Sequence, residues 1–178
     1  MGEGRTNVRC SEAGSAGAVN GAKAAAAAAV LAERVARFHA GTLTRHEWTH
    51  TTHLQVGAWH VHHLGAELAL TRLRDGIRRL NERHGTPNTD ERGYHETITV
   101  AYVRLLAEGL SRFGDETPLE ARVTQLLHGP LAARDLLLRH WSKAVLFSVD
   151  ARRRWVGPDL APLALPPDAD RPSEPATR

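Results

Sequence analysis

The chain has 178 residues, of which 42% are hydrophobic and only 5% are aromatic, and its formal net charge is +3. This length suits one domain, no apolar run approaches the ~18 residues that a membrane span needs, and the charge is weaker than the basic bias of most nucleic-acid-binding proteins. The single cysteine, Cys10, excludes an intramolecular disulfide and favours a cytoplasmic protein.

Hydrophobic residues recur at helical spacing through most of the chain, and strand-like alternation between turn residues is missing. The sequence therefore predicts an all-α fold, a single-domain helical bundle of about six or seven helices. Residues 1–22 are predicted to be a disordered N-terminal tail, 23–163 the helical bundle domain, and 164–178 a Pro-rich C-terminal tail.

Glycines and capping residues set the predicted helix bounds. Thr44 and Glu47 fit a capping box at the start of the second helix, and Gly65 is the expected stop. Thr117 with Glu120 suggests another capping box, and Ser148 a cap for the last helix. The predicted helices, in order, are 23–40, 44–64, 67–84, 94–114, 118–129, 130–145 and 148–154.

Histidines concentrate in the second predicted helix, where six of the chain's 11 lie between His46 and His63. At roughly 100° per helical residue, His46, His50, His53 and His60 fall within about 80° of one face. His50 lies near the middle of the apolar stripe on that face. His60, His62 and His63 are near the predicted helix end and are expected to be partly exposed.

Such a row of imidazoles predicts a metal site, because imidazole is the commonest protein metal ligand. His50 and His53, three apart, can share one ion, and His95 on another helix is predicted to complete the set. Neutral nitrogen ligands favour zinc or iron, with copper as an alternative.

Three further residues are predicted to be catalytic. Glu96, beside His95, is a candidate general base or fourth ligand. Arg152 is a candidate for orienting an anionic substrate. His140 is predicted to point inward from the sixth helix.

Several motifs resemble a family of small bacterial, all-helical proteins that has no settled function. These motifs are WTHTTHL (48–54), NERHG (81–85), GYHET (93–97), RHWS (139–142) and ARRRWVGPDLAPL (151–163). The resemblance covers about residues 38–163. It singles out His50, His53, His95 and Glu96 as candidate site residues, with weaker support for His140, Ser142 and Arg152. Where that family is expected to carry a tyrosine, this chain has Trp141.

The sequence favours a mononuclear metal-dependent enzyme acting on a small molecule: a hydrolase or lyase with zinc, or an oxidoreductase with iron or copper. One alternative is a non-enzymatic sensor or carrier that binds a small molecule or metal. Others are a metal-free acid/base enzyme, and a DNA-binding or protein-interaction domain that uses its arginine-rich faces. A homodimer is a further expectation, since Ala-rich helical faces often pair.

Overall fold

The computed structural model describes residues 12–166, with side chains from residue 21 onward. This part of the chain contains six α-helices, two short 3₁₀ helices and no strand, so the predicted all-α fold is confirmed. The α-helices are α1 (Glu12–Ala40), α2 (His50–Arg83), α3 (Glu96–Ser111), α4 (Leu119–His128), α5 (Lys143–Leu146) and α6 (Val149–Arg153).

Helix α2 is the centre of the bundle, and α3, α1 and α4 pack against it. Helix α1 packs against α2 through Phe38, whose side chain is only 1% exposed. A Cβ added to Gly76 of α2 would lie 2.3 Å from Cζ of Phe38, so only glycine leaves room for this ring. The apolar core therefore forms on both sides of α2.

The start of α2 differs from the prediction. Thr44 and Glu47 do form the reciprocal bonds of a capping box, with 2.8 Å from the Thr44 backbone nitrogen to the Glu47 carboxylate. They close only a turn, however, and the helix begins at His50 after Thr49, whose hydroxyl accepts a hydrogen bond from the backbone nitrogen of Thr52 (3.3 Å).

The second and third predicted helices are one kinked element. Gly65 has a φ of 72° and a ψ of 165°, outside the helical region, and helical residues continue directly beyond it. Only glycine adopts such a φ readily. The predicted break was therefore at the right residue, but it produces a bend rather than a loop.

The predicted sixth helix, 130–145, is wrong. The chain forms 3₁₀ helices at Pro130–Ala132 and Leu136–Arg139, followed by the four-residue α5. Contacts with segment 156–160 compete with helical bonds here, because the His140 carbonyl accepts the backbone N–H of Leu160 (3.0 Å) and the Trp141 indole donates to the Val156 carbonyl (3.1 Å).

The two predicted tails lie partly within the described residues. Helix α1 begins at Glu12, so it includes part of segment 1–22, whereas residues 1–11 are outside the described part. At the other end Leu165 is 4% exposed, and its carbonyl accepts a hydrogen bond from Arg112, the residue after α3 (2.6 Å). Residues 167–178 of the predicted Pro-rich tail are not among the described residues.

Two helix caps in the second half of the chain gave different outcomes. Ser148 caps α6 as predicted, since its hydroxyl accepts a hydrogen bond from the backbone nitrogen of Ala151 (3.1 Å). Thr117 does not cap α4, which begins after Pro118 with no side-chain cap.

No helix in the described range is long and apolar enough to cross a membrane.

Candidate functional site

A cavity of about 520 Å³ lies between α2 and α3. Its walls are mostly apolar, and its volume is within the range of small-molecule sites. Gly57 keeps this part of α2 close to α3, because a Cβ there would lie 2.8 Å from Cδ1 of Leu106. The described residues lining it are Trp48, Thr49, His50, His53, Leu54, Gly57, Leu73, Ile77, Ile98, Thr99, Tyr102, Val103, Leu106 and Arg134.

His50, the first residue of α2, contributes a polar atom to this wall. Its Nε2 is buried and has no hydrogen-bond partner, and its ring meets the ring of Tyr102 edge-on with centroids 5.3 Å apart. Burial lowers the pKa of His50, an effect that the Leu131 backbone carbonyl partly offsets and the charge of Arg134 reinforces. The ring is therefore neutral at pH 7.

His53 lies three residues further on and also faces the cavity. Its Nδ1 donates a hydrogen bond to the Thr49 carbonyl (2.7 Å), so in the neutral ring Nε2 carries a lone pair. Burial lowers the pKa of His53 to about 4, with a further small contribution from the charge of His50. Its ring packs on Trp48 with centroids 3.8 Å apart, which fixes its orientation.

Tyr102 of α3 supplies the third polar group. Burial raises the pKa of Tyr102 to about 12, and the charge of Asp135 adds to this effect. At pH 7 His53 and Tyr102 are therefore uncharged, and burial favours the neutral form of His50. All three side chains belong to residues that line the cavity. Arg134, which is exposed, carries the only formal charge among the described lining residues.

The structure does not bring His95 to His50 and His53, so the predicted three-histidine ligand set is not assembled. His95 precedes α3 and caps it: Nδ1 accepts a hydrogen bond from the Ile98 backbone nitrogen (3.4 Å), and Nε2 donates to the Leu146 carbonyl (3.0 Å). Within the described residues there is no group of three or more His, Cys, Asp or Glu side chains that could hold a metal ion.

Glu96 lies outside the cavity wall and is held by its own neighbours. Arg74 forms a two-pronged ion pair with its carboxylate, and the Tyr94 hydroxyl donates to Oε2 (2.8 Å). Burial raises the pKa of Glu96, but the hydrogen bonds from Arg74 and Tyr94 together hold it below its usual value. This arrangement ties α2 to the start of α3.

His140 and Arg152 are also outside the cavity wall. The Nδ1 of His140 donates to the Pro162 carbonyl (2.8 Å), while its Nε2 is buried without a partner. Arg152 donates to the carbonyls of Gly93 (3.3 Å) and Tyr94 (3.1 Å). Of the residues predicted to act together, only His50 and His53 line the cavity.

The other histidines between His46 and His63 do not form one continuous row, because α2 begins only at His50. His46 is exposed in the turn before the helix, so it does not share a face with His50. His62 and His63 are exposed as predicted, but His60 is 0% exposed, so the expectation of partial exposure there is wrong.

His60 has a partner that sequence reasoning missed. The Nε2 atoms of His60 and His39 of α1 are 2.9 Å apart, and Nδ1 of His60 donates to the Val56 carbonyl (2.7 Å). No local signal identifies this pair, because His39 looks like an ordinary basic residue in the last turn of a helix.

No family model, curated protein or solved structure matches this chain. The resemblance based on its motifs therefore stays a prediction.

Proposed function

We propose that this chain binds a small, largely apolar and uncharged molecule in the cavity between α2 and α3. The observation that carries the proposal is the buried, unpartnered Nε2 of His50, a residue that lines a cavity of about 520 Å³. A buried polar atom without a partner costs about 1–3 kcal/mol, and such atoms call for an explanation of their own. A bound ligand that donates a hydrogen bond supplies one.

The uncharged side chains that line the cavity favour an uncharged ligand. His53 has a pKa near 4 and Tyr102 one near 12, both mainly because of burial. Neither side chain compensates a full charge on a ligand deep in the cavity. The site suits a ring system or branched chain with one hydroxyl or amine that donates to His50 or His53.

A matched pair of probes tests this proposal. We expect 2-naphthol to bind, as measured by titration calorimetry, and 2-methylnaphthalene, which has the same shape without the donor, to bind about tenfold more weakly, since one hydrogen bond contributes about 1 kcal/mol or slightly more. In the His50→Phe variant this preference for the hydroxyl should fall, with a further fall in His50→Phe/His53→Phe.

His63→Phe is the control variant, because His63 is an exposed histidine on the same helix. Its affinity for 2-naphthol should equal that of the wild type. Failure of the wild type to bind either probe, or an unchanged hydroxyl preference in the double variant, would contradict the proposal.

A metal-dependent enzyme is the second candidate, and the spacing of His50 and His53 favours it. Both imidazoles face the cavity, and Nδ1 of His53 is bonded to a backbone carbonyl, as is usual for metal-ligating histidines. Two nitrogens do not complete a four-coordinate site, so water or substrate would fill the other positions, and a zinc-bound water supplies a nucleophile for hydrolysis.

Metal content separates the two candidates. Elemental analysis of tag-free protein should give about one equivalent of zinc, iron or copper per chain if the second candidate is right. The equivalent should be lost in His50→Ala and kept in His63→Ala. An equal metal content in the wild type and in both variants would count against a site at His50.

A further inference from the structure

A second, smaller pocket of about 200 Å³ lies where the loop between α2 and α3 meets α6. Unlike the cavity between α2 and α3, it is lined mainly by polar and charged groups. Arg78 of α2 and both Arg152 and Arg153 of α6 face it, together with Asp90 and Tyr94 of the loop. Its chemistry is therefore independent of the proposed function above.

The loop that forms the floor of this pocket is held in place by Asn88 and Gly93. Asn88 Oδ1 accepts a hydrogen bond from the Tyr94 backbone nitrogen (3.0 Å), and Asn88 Nδ2 donates to the Arg78 carbonyl (3.1 Å). Gly93 has a φ of 84°, and a Cβ there would lie 2.5 Å from the Pro87 carbonyl oxygen. The loop thus presents its carbonyls to α6 in a fixed geometry.

Arg152 is half-buried here, and its contacts leave most of its donors unused. Its Nη1 donates to the carbonyls of Gly93 and Tyr94, and it forms no salt bridge with any described carboxylate. A guanidinium has five N–H donors in a planar fork. The two carbonyls position the group without neutralising it.

Arg78 approaches the same loop residue from α2. Its Cζ lies 4.7 Å from the centroid of the Tyr94 ring, and it has no salt bridge within the described residues. The Tyr94 ring thus contacts the guanidinium of Arg78, and the Tyr94 carbonyl accepts a hydrogen bond from Arg152. Both cations therefore lie next to the same residue.

The charges that face the pocket do not balance. Arg153 pairs with Asp90 through both guanidinium arms, at 2.7 and 2.5 Å. Glu82 is nearby, where it accepts a hydrogen bond from Asn88 (3.3 Å), and Glu96 is already paired with Arg74. Asp90 and Glu96 also feel the charges of Arg152 and Arg78, but neither of these arginines forms a salt bridge with a described carboxylate. The three arginines that line the pocket therefore outnumber its single described lining carboxylate, Asp90.

We propose that this pocket is an oxyanion site in which Arg78 and Arg152 hold a phosphate group, either the free ion or the end of a small molecule. Arginine suits this role because its fork matches the oxygens of phosphate, with two parallel hydrogen bonds. Because the pocket has a volume of only about 200 Å³, the phosphate group, rather than the rest of a ligand, would make most of the contacts with its walls.

Inorganic phosphate is the probe, titrated at constant pH and ionic strength with sodium chloride as the reference salt. We expect the Tm of the wild type to rise with phosphate beyond any change in chloride, since a ligand that binds only the native state stabilises it. Glycerol 3-phosphate should give at least the same rise, and a larger one would identify a phosphate monoester rather than the free ion as the ligand.

Arg78→Gln should weaken phosphate binding about tenfold, the value of one charge-assisted hydrogen bond of modest strength. Arg152→Lys, which keeps the charge but loses the fork, should also weaken it. Arg79→Gln is the matched control, because it removes the same charge from an exposed neighbour that does not line the pocket.

No extra rise of Tm in phosphate, or an equal loss of affinity in Arg79→Gln and Arg78→Gln, would overturn the proposal. Binding of 2-naphthol in the cavity between α2 and α3 should be unchanged in Arg78→Gln, so the two sites can fail separately.

Discussion

His50 and His95 occupy similar positions, the first residue of α2 and the residue that caps α3, but their ring nitrogens are used differently. At His95 both nitrogens form hydrogen bonds to the backbone. At His50, a residue that lines the cavity, the buried Nε2 has no partner. The same residue type therefore stabilises the fold at one helix start and leaves a buried nitrogen without a partner at the other.

This difference has a general physical reason. A buried polar atom that the fold satisfies contributes to stability, whereas one that it leaves unsatisfied lowers stability until a ligand pairs with it. Variants at the two histidines should consequently move stability and binding in separate ways.

The largest effect is expected from His95→Ala. It removes the cap of α3, worth about 1 kcal/mol, and leaves the Leu146 carbonyl without its donor, which costs about 1–3 kcal/mol more. Urea denaturation should therefore show a free energy of unfolding lower by about 2–4 kcal/mol. The exposed His62→Ala should change it by less than about 0.5 kcal/mol. Equal values for the two variants would show that the bonds of His95 contribute little to stability.

An intermediate effect is expected from pH. Burial, helped by the charge of Arg152, lowers the pKa of His95 to about 4, below the ordinary value near 6.5 that applies in the unfolded chain. The native state then binds the proton less tightly, so the stability is complete above about pH 6.5 and is lost as the pH falls towards 4. Between pH 7 and pH 5 this histidine alone should account for a loss of about 1–2 kcal/mol.

His95→Asn provides the check, because asparagine is a good N-cap that does not titrate. The free energy of unfolding of this variant should fall less between pH 7 and pH 5 than that of the wild type. Part of the fall should remain, since burial also lowers the pKa of His53 to about 4. An identical fall in both proteins would mean that His95 does not contribute to the pH dependence.

The smallest effect on stability is expected from His50→Phe. It removes an unpaired buried nitrogen but also the interaction with the Leu131 carbonyl, so the two changes partly cancel and the free energy of unfolding should change by less than about 1 kcal/mol. In the same variant the preference for 2-naphthol over 2-methylnaphthalene should fall. A free energy of unfolding lower by several kcal/mol would instead show that His50 stabilises the fold as His95 does.

Much of the fold follows from local sequence. Gly41 and Gly85 end helices with positive φ angles of 67° and 66°, as expected of glycines after a periodic apolar stretch. The bounds of α3 and α4 also agree closely with the hydrophobic periodicity. These features depend on neighbours in the chain, which the sequence displays directly.

The failures arise where a distant segment competes with a local preference. Residues 130–145 have helical periodicity, but Trp141 is buried, and its indole and the neighbouring His140 carbonyl form hydrogen bonds with segment 156–160. The capping box at Thr44 forms as predicted, yet Arg37 of α1 also binds the Glu47 carboxylate, at 2.5 and 2.6 Å. The turn is thus tied to another helix.

Local periodicity was enough to predict the helical class, the shared helix face of His50 and His53, and the inward position of His95. The bond of His95 to Leu146, 51 residues away, instead of a position beside His50 and His53, depends on tertiary packing. Helical periodicity predicts which side chains face the interior, because that depends on neighbours within a few turns. It does not predict which interior groups meet, because that depends on how separate helices and loops pack together.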